Sequence, residues 1–427
     1  TIMSGYRRAN MGSYGGGYSD DDISRFLAPY MQQQQRQQQQ FRPGPFDSSL
    51  EPAAKRLKRE ETKQEKEQRE ALEIQAPPQS MTGVSESVTR ICAKLSHGIY
   101  KANSKQGLNG LSTDGVDVEV ILFDDHGILK TTTPPFGVAI LPELKTMVLV
   151  WRGSMTKVDW VLDMAVAPVA SSRWKNAAKN LRGHAGYTAL VESDLALHED
   201  YLIAEIQKRG ISQVILTGHS LAGAMAQISQ VAIQGQLSQE GSPWNCLQDK
   251  QLMIRSIQFG APMTCMLLDE DDKGSSDFWS KVSATSCNLV FASDMLPRAP
   301  GNFRYVDDAI RTALVPFVKD AFKDVPIMSM LDLFPSAYQK LVDLYQDETK
   351  KQDIIDIVKV CIKYQHVGSI VWYESVQASP IKLNDYQFRT HDKYQYSIPS
   401  DTPFPNRTLK QHHVKVPALL AHDTPAK

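Results

Sequence analysis

A short apolar run at residues 213–216 passes through Thr217-Gly218-His219-Ser220 into a second run, residues 221–234, with helical spacing. No other stretch constrains the fold as tightly. A strand that becomes a helix within so few residues must pack against that helix at close range. The small residues Gly218, Ala222 and Gly223 permit the approach. Such a unit belongs to a parallel sheet covered by helices rather than to a helix bundle or a β-sandwich.

The same alternation recurs along the chain. Residues 85–105 read as a helix, with Val88, Ile91, Cys92, Leu95 and Ile99 at helical spacing. Residues 116–122 alternate like a strand, and 136–140 and 146–151 read as a strand pair joined through Pro142. A long amphipathic helix occupies 191–208, and short apolar strands come at 254–259, 288–291 and 367–372. Residues 304–363 are helical in pattern throughout and read as an insertion. The predicted class is α/β, a mostly parallel central sheet flanked by helices.

The first 80 residues have a different texture. Gly15-Gly16-Gly17 precedes glutamines at 32–35 and 37–40, then a charge-dense stretch at 55–73. Too few apolar residues occur there to offset the entropy of ordering. Residues 1–80 are therefore expected to be a disordered, low-complexity region and 81–427 the folded domain, ending in a polar tail at about 400–427. Pro52-Ala53-Ala54-Lys55-Arg56-Leu57-Lys58-Arg59 reads either as a nuclear-import signal or as a solvated charge cluster.

Composition excludes several function classes. Lys and Arg total 47 against 48 Asp and Glu, a net charge of −1, so nucleic acid is not an expected partner. No run of about 18 apolar residues occurs, and the first 30 residues lack the apolar stretch of a secretory signal. The five cysteines, Cys92, Cys246, Cys265, Cys287 and Cys361, show neither a disulfide framework nor metal-ligand spacing. A cytoplasmic setting is the simplest reading, with the nucleus as the alternative if Lys55 to Arg59 is an import signal.

Ser220 carries the chemistry. A serine on a tight strand-to-helix turn is lifted clear of the sheet, beside helix amides without intrahelical acceptors and a dipole that favours negative charge. A developing oxyanion meets donors already in place. Gly-x-Ser alone arises about twice by chance in a chain of this length, as at Gly210-Ile211-Ser212 and Gly274-Ser275-Ser276. Only Ser220 lies between an apolar strand and a small-residue helix. Without that context it would read as a buried serine in a βα turn.

Four ordered stretches give the chain a family resemblance. They are Met147-Val148-Leu149-Val150-Trp151-Arg152-Gly153-Ser154 with Asp159-Trp160 and Asp163 after it; His184-Ala185-Gly186-Tyr187; Thr217-Gly218-His219-Ser220-Leu221-Ala222-Gly223-Ala224; and Ser293-Asp294-Met295-Leu296-Pro297-Arg298-Ala299-Pro300. The chain resembles the class 3, fungal-type triacylglycerol lipases of the α/β-hydrolase superfamily over about residues 85–395, outside the insertion. The resemblance implies Ser220 as nucleophile, Asp294 as triad acid, and Ser154 and Leu221 as oxyanion donors. It also implies a lid over about 155–165. Ala222 stands where the family has a second glycine, and Trp151 where it usually has Phe.

The triad histidine must come after Asp294, which leaves His366, His391, His412, His413 and His422. His391, with Tyr394 shortly after it, matches the family's late histidine loop. His366 leads straight into a strand, and His412 and His413 lie in the polar tail. The insertion then falls between acid and histidine. The expected activity is that of a serine ester hydrolase on lipid esters, acylglycerol or phospholipid, without metal or organic cofactor. Its lid would make transient contact with a membrane or lipid-droplet surface. The competing reading is a lipase-like scaffold or signalling protein without turnover, which a fluorophosphonate probe separates from an enzyme.

Overall fold

The structure is a computed structural model, which describes residues 76–108, 111, 115–126, 134–154, 167–291, 294, 296–298, 363–374 and 378–390. Its helices are α1 (Gln79–Thr82), α2 (Glu86–Gly98), α3 (Ala185–Arg209), α4 (Leu221–Leu237), α5 (Lys273–Ser283) and α6 (Asp385–Thr390). The strands are β1 (Glu119–Asp124), β2 (Phe136–Leu141), β3 (Thr146–Trp151), β4 (Pro168–Val169), β5 (Leu181–His184), β6 (Gln213–His219), β7 (Met253–Phe259), β8 (Cys265–Leu267), β9 (Ser286–Phe291), β10 (Ser369–Tyr373) and β11 (Ile381–Leu383).

Eight strands form one sheet in the order β1-β2-β3-β6-β7-β9-β10-β11. The pairs from β3 through β10 are parallel, and β1, β2 and β11 add antiparallel margins. This is the α/β-hydrolase arrangement, with the Ser220 turn after a central parallel strand. Parallel strands are covered on both faces and so read as unbroken apolar runs. β3 is the plainest case, with all six residues buried. Met147, Leu149 and Trp151 join one core with α3 and α4, while Val148 and Val150 join another with α2. β4, β5 and β8 form a separate small antiparallel sheet.

Several expected boundaries move. The helix expected over 85–105 ends at Gly98, although Ile99 and Leu108 stay in the core beside it. Ser85 caps its start, accepting from the Val88 N–H at 3.3 Å. The first strand begins at Glu119 rather than 116; Val116 makes an isolated bridge, and Val116 and Val118 pack on the core. α3 begins at Ala185 rather than 191, because the Tyr187 ring stacks on His184 at 4.0 Å and seats the first turn. The folded region reaches back at least to Ala76, which is only 4% exposed, so residues 76–80 do not belong to a disordered head. The insertion up to 362 and the tail at 400–427 lie outside the described residues. Among the described residues no helix is long and apolar enough to cross a membrane.

Candidate active site

β3, β6 and β9 run parallel, so the turns that leave them share one edge of the sheet. Arg152–Ser154 come directly after β3, Ser220 directly after β6, and Asp294 lies beyond β9. β7 alone separates β6 from β9. Two strand spacings therefore set Ser220 and Asp294 roughly 10 Å apart across the edge, a gap that a side chain can bridge.

Ser220 adopts φ +63° and ψ −129° and is 7% exposed. A residue held in such backbone costs about 1–3 kcal/mol and persists only where its surroundings dictate it. Here the surroundings are close-packed. The Ser220 N–H donates to the Phe259 carbonyl at 3.0 Å, and its own carbonyl accepts from Ala224 at 3.2 Å. A Cβ on Gly218 would fall 2.5 Å from the carbonyl carbon and the Cβ of Ala222. One on Gly223 would fall 2.7 Å from the Ala261 Cβ. β6 and α4 thus approach as the small residues allow. Leu221 is the first residue of α4, and its amide belongs to the turn that lacks intrahelical acceptors.

The β3 turn presses on this elbow. A Cβ on Gly153 would sit 2.5 Å from the His219 carbonyl oxygen and closer still to the Tyr100 hydroxyl. Gly153 is therefore required by close approach, and Ser154 comes next, beside the Ser220 turn. The Tyr100 hydroxyl lies 2.9 Å from His219 Nδ1 and 3.5 Å from the His219 carbonyl oxygen. It links the segment after α2 to both turns. Sequence reasoning missed Tyr100, because the contact spans 119 positions and no local pattern announces it.

Asp294 is 4% exposed. Its N–H donates to the Phe291 carbonyl at 3.1 Å, and its Oδ1 accepts from the Leu296 N–H at 3.1 Å. That side-chain turn starts the short helical turn Leu296–Arg298. His366 Nε2 lies 2.5 Å from the Pro297 carbonyl oxygen, and Nδ1 lies 3.4 Å from the Asn288 amide nitrogen. One consistent assignment has Nε2–H donating to the carbonyl and Nδ1 accepting from the amide, which is a neutral imidazole. His391, His412, His413 and His422 lie outside the described residues, as do the lid segment at 155–165 and most of the insertion.

Comparisons with known proteins bear on this edge. The family model described as lipase (class 3) matches residues 148–304, which run from β3 through the elbow to beyond Asp294. No curated protein matches the chain. Among solved structures, the Rhizomucor miehei triacylglyceride lipase is 13% identical, covering 76% of this chain and 91% of that one at a TM-score of 0.41. A lipase from Rhizopus microsporus var. chinensis is 14% identical over 73% and 80% of the two chains, at 0.42. A triacylglycerol lipase from Penicillium expansum is 17% identical over 70% and 82%, at 0.40. The fold assignment rests on the strand order and the elbow rather than on these likenesses. With residues 148–304 matched to that model and the elbow on its sheet edge, this part of the chain resembles the class 3 lipases and stands on an α/β-hydrolase fold.

Proposed function

We propose that the protein cleaves lipid carboxylic esters, acylglycerols ahead of phospholipids, through an acyl-enzyme on Ser220. The observation that carries this reading is the strained Ser220 turn with the Gly153–Ser154 backbone packed against it. In the proposed sequence Ser220 Oγ attacks the ester carbonyl while His391 accepts its proton. Asp294 orients His391 and stabilises the imidazolium. The amides of Ser154 and Leu221, joined by the Ser154 hydroxyl, receive the oxyanion. The alcohol leaves with the proton from His391, and water, activated by the same histidine, then releases the acid. Residues 155–165 would act as the lid that meets a lipid surface. The scattered, odd-numbered cysteines favour a cytoplasmic setting.

A fluorophosphonate probe and a panel of triacylglycerol, diacylglycerol, phospholipid and p-nitrophenyl esters test the reading. The parent should label, and Ser220→Ala should not label and should lose about 10⁴-fold or more in kcat. If Ser220→Ala kept the parent's labelling and rate, Ser220 would not be the nucleophile. Faster turnover of phospholipid than of acylglycerol would overturn the substrate order.

A further inference from the structure

Beyond the triad, the same sheet edge holds a second cluster of ionisable groups. Trp151, the last residue of β3, donates its indole N–H to Asp194 Oδ2 at 2.7 Å, and both residues are buried. His126 Nε2 lies 3.6 Å from the other Asp194 oxygen, and its Nδ1 lies 3.7 Å from Asp124 Oδ2. That Asp124 oxygen is also 3.0 Å from His198 Nε2, while His198 Nδ1 lies 2.9 Å from the Asp194 main-chain carbonyl. Phe136 packs its ring 5.1 Å from Trp151 and 4.9 Å from His198. Among the described residues no group of three or more His, Cys, Asp or Glu side chains could hold a metal. Hydrogen bonds join Trp151 to Asp194 and His198 to Asp124 and the Asp194 main chain, while His126 stands at ion-pair distance from both carboxylates and its Nε2 makes no hydrogen bond.

Its placement gives it a role. Asp124 ends β1, Phe136 begins the antiparallel β2 and Trp151 ends β3, so all three lie on the edge that carries Ser220. Arg152, Gly153 and Ser154 continue from Trp151 without a break. An aromatic ring alone would fill the space beside Phe136. The indole adds a donor, and the buried Asp194 carboxylate accepts it. Burial pushes the Asp194 carboxyl up to about 7, a cost that an apolar side chain would avoid.

We infer that Asp194 is a positioning residue for ester hydrolysis: braced by His126, His198 and Asp124, it anchors the Trp151 indole and so fixes the Arg152–Ser154 turn against the nucleophile elbow. This rests on the reading of Ser154 as an oxyanion donor. Because that donor acts on charge that develops in the transition state, loosening its turn lowers kcat and leaves KM nearly unchanged.

The test compares kcat and KM on a soluble short-chain ester for Trp151→Phe, Asp194→Leu, Asp194→Asn, the Trp151→Phe/Asp194→Leu double variant and Ser154→Ala, each checked for a cooperative melt. Trp151→Phe and Asp194→Leu should each lower kcat by about tenfold, with KM within about twofold. The double variant should be no slower than either single one, since both remove one bond. Asp194→Asn, whose amide oxygen still accepts the indole N–H, should recover most of the loss. Ser154→Ala should lose about 10²-fold. If Ser154→Ala were slow but Trp151→Phe kept the parent kcat, the inference would be wrong while the oxyanion assignment stood. Multiplying losses in the double variant would also overturn it. A parent-like Ser154→Ala would confine the assignment to the Ser154 amide, and a parent-like Trp151→Phe would overturn the inference in either case. Should Asp194→Leu fail to fold, Trp151→Phe alone decides.

Discussion

The turn after β6 and the turn after β3 frame one site but are held differently. Around Ser220 the backbone is fixed by contact: Gly218 and Gly223 leave no room for a side chain, and the Phe259 carbonyl pins the Ser220 amide. No ionisable side chain takes part in those contacts, and the nearest, His219, meets the Tyr100 hydroxyl beside them. Around Arg152–Ser154, the residue just before the turn is anchored through Trp151 to Asp194, a carboxyl that titrates near neutrality. Shape fixes one half of the proposed oxyanion site, whereas close approach at Gly153 and a hydrogen bond to a titratable group together fix the other. Packing of the first kind is insensitive to pH and intolerant of added volume, whereas the second kind responds to charge.

The largest effect is expected from removing the proposed general base. His391→Ala should lower kcat by about 10³-fold or more, the scale of losing a triad member. His366→Ala should stay within about tenfold in kcat and instead lose stability, since it breaks the contacts to the Pro297 carbonyl and the Asn288 amide. Steady-state kinetics on both folded variants, with urea midpoints, check this. An inactive His366→Ala beside an active His391→Ala would move the base to β10 and leave the two turns facing the wrong histidine.

A smaller effect should come from adding one methyl group to the contact-held turn. Gly218→Ala puts a Cβ 2.5 Å from the Ala222 backbone, so β6 and α4 must separate. The expected cost is about 3 kcal/mol of stability with a parallel loss of kcat, read from urea unfolding and ester turnover. Gly274, near the start of α5, has nothing within 4 Å of its added Cβ, and Gly274→Ala should gain about 0.5–1 kcal/mol. Equal responses at the two glycines would mean that packing does not hold the Ser220 turn.

These contrasts also mark what a sequence can reveal. β3 and the β6–Ser220–α4 unit were legible because their signals are local: a two-sided apolar run and small residues at fixed offsets. Asp294 became a candidate only through the residues around it, its own turn being a common side-chain cap. Tyr100 and Asp194 were not legible, because their meaning lies in contacts 119 and 43 positions away. The small sheet escaped for a different reason. β4 and β8 have two and three residues, too few to show a period. α3 began earlier than its apolar spacing suggested, since its first turn is seated by ring stacking rather than by an apolar stripe.

The smallest expected effect concerns the titratable turn. Folding raises the Asp194 carboxyl from its ordinary value to about 7, chiefly by burial, against which the Trp151 hydrogen bond works. Between about pH 4 and 7 the folded chain therefore keeps a proton that the unfolded chain has released. Stability from this group is fully present below about pH 4 and falls as pH rises through 7. His126 acts in the opposite sense, because burial lowers its pKa and its contribution is lost as pH falls. Asp194→Asn removes the first dependence, keeps the acceptor for Trp151 and leaves His126 in place. Melting temperatures of variant and parent, measured from pH 4 to 8, should therefore diverge by a few degrees in favour of the Asn variant as pH rises. The same series on Gly218→Ala should run parallel to the parent, since no proton is linked to that contact. If the Asp194→Asn and parent curves ran parallel instead, Asp194 would titrate alike in the folded and unfolded chains, and the β3 turn would be held by shape as the Ser220 turn is.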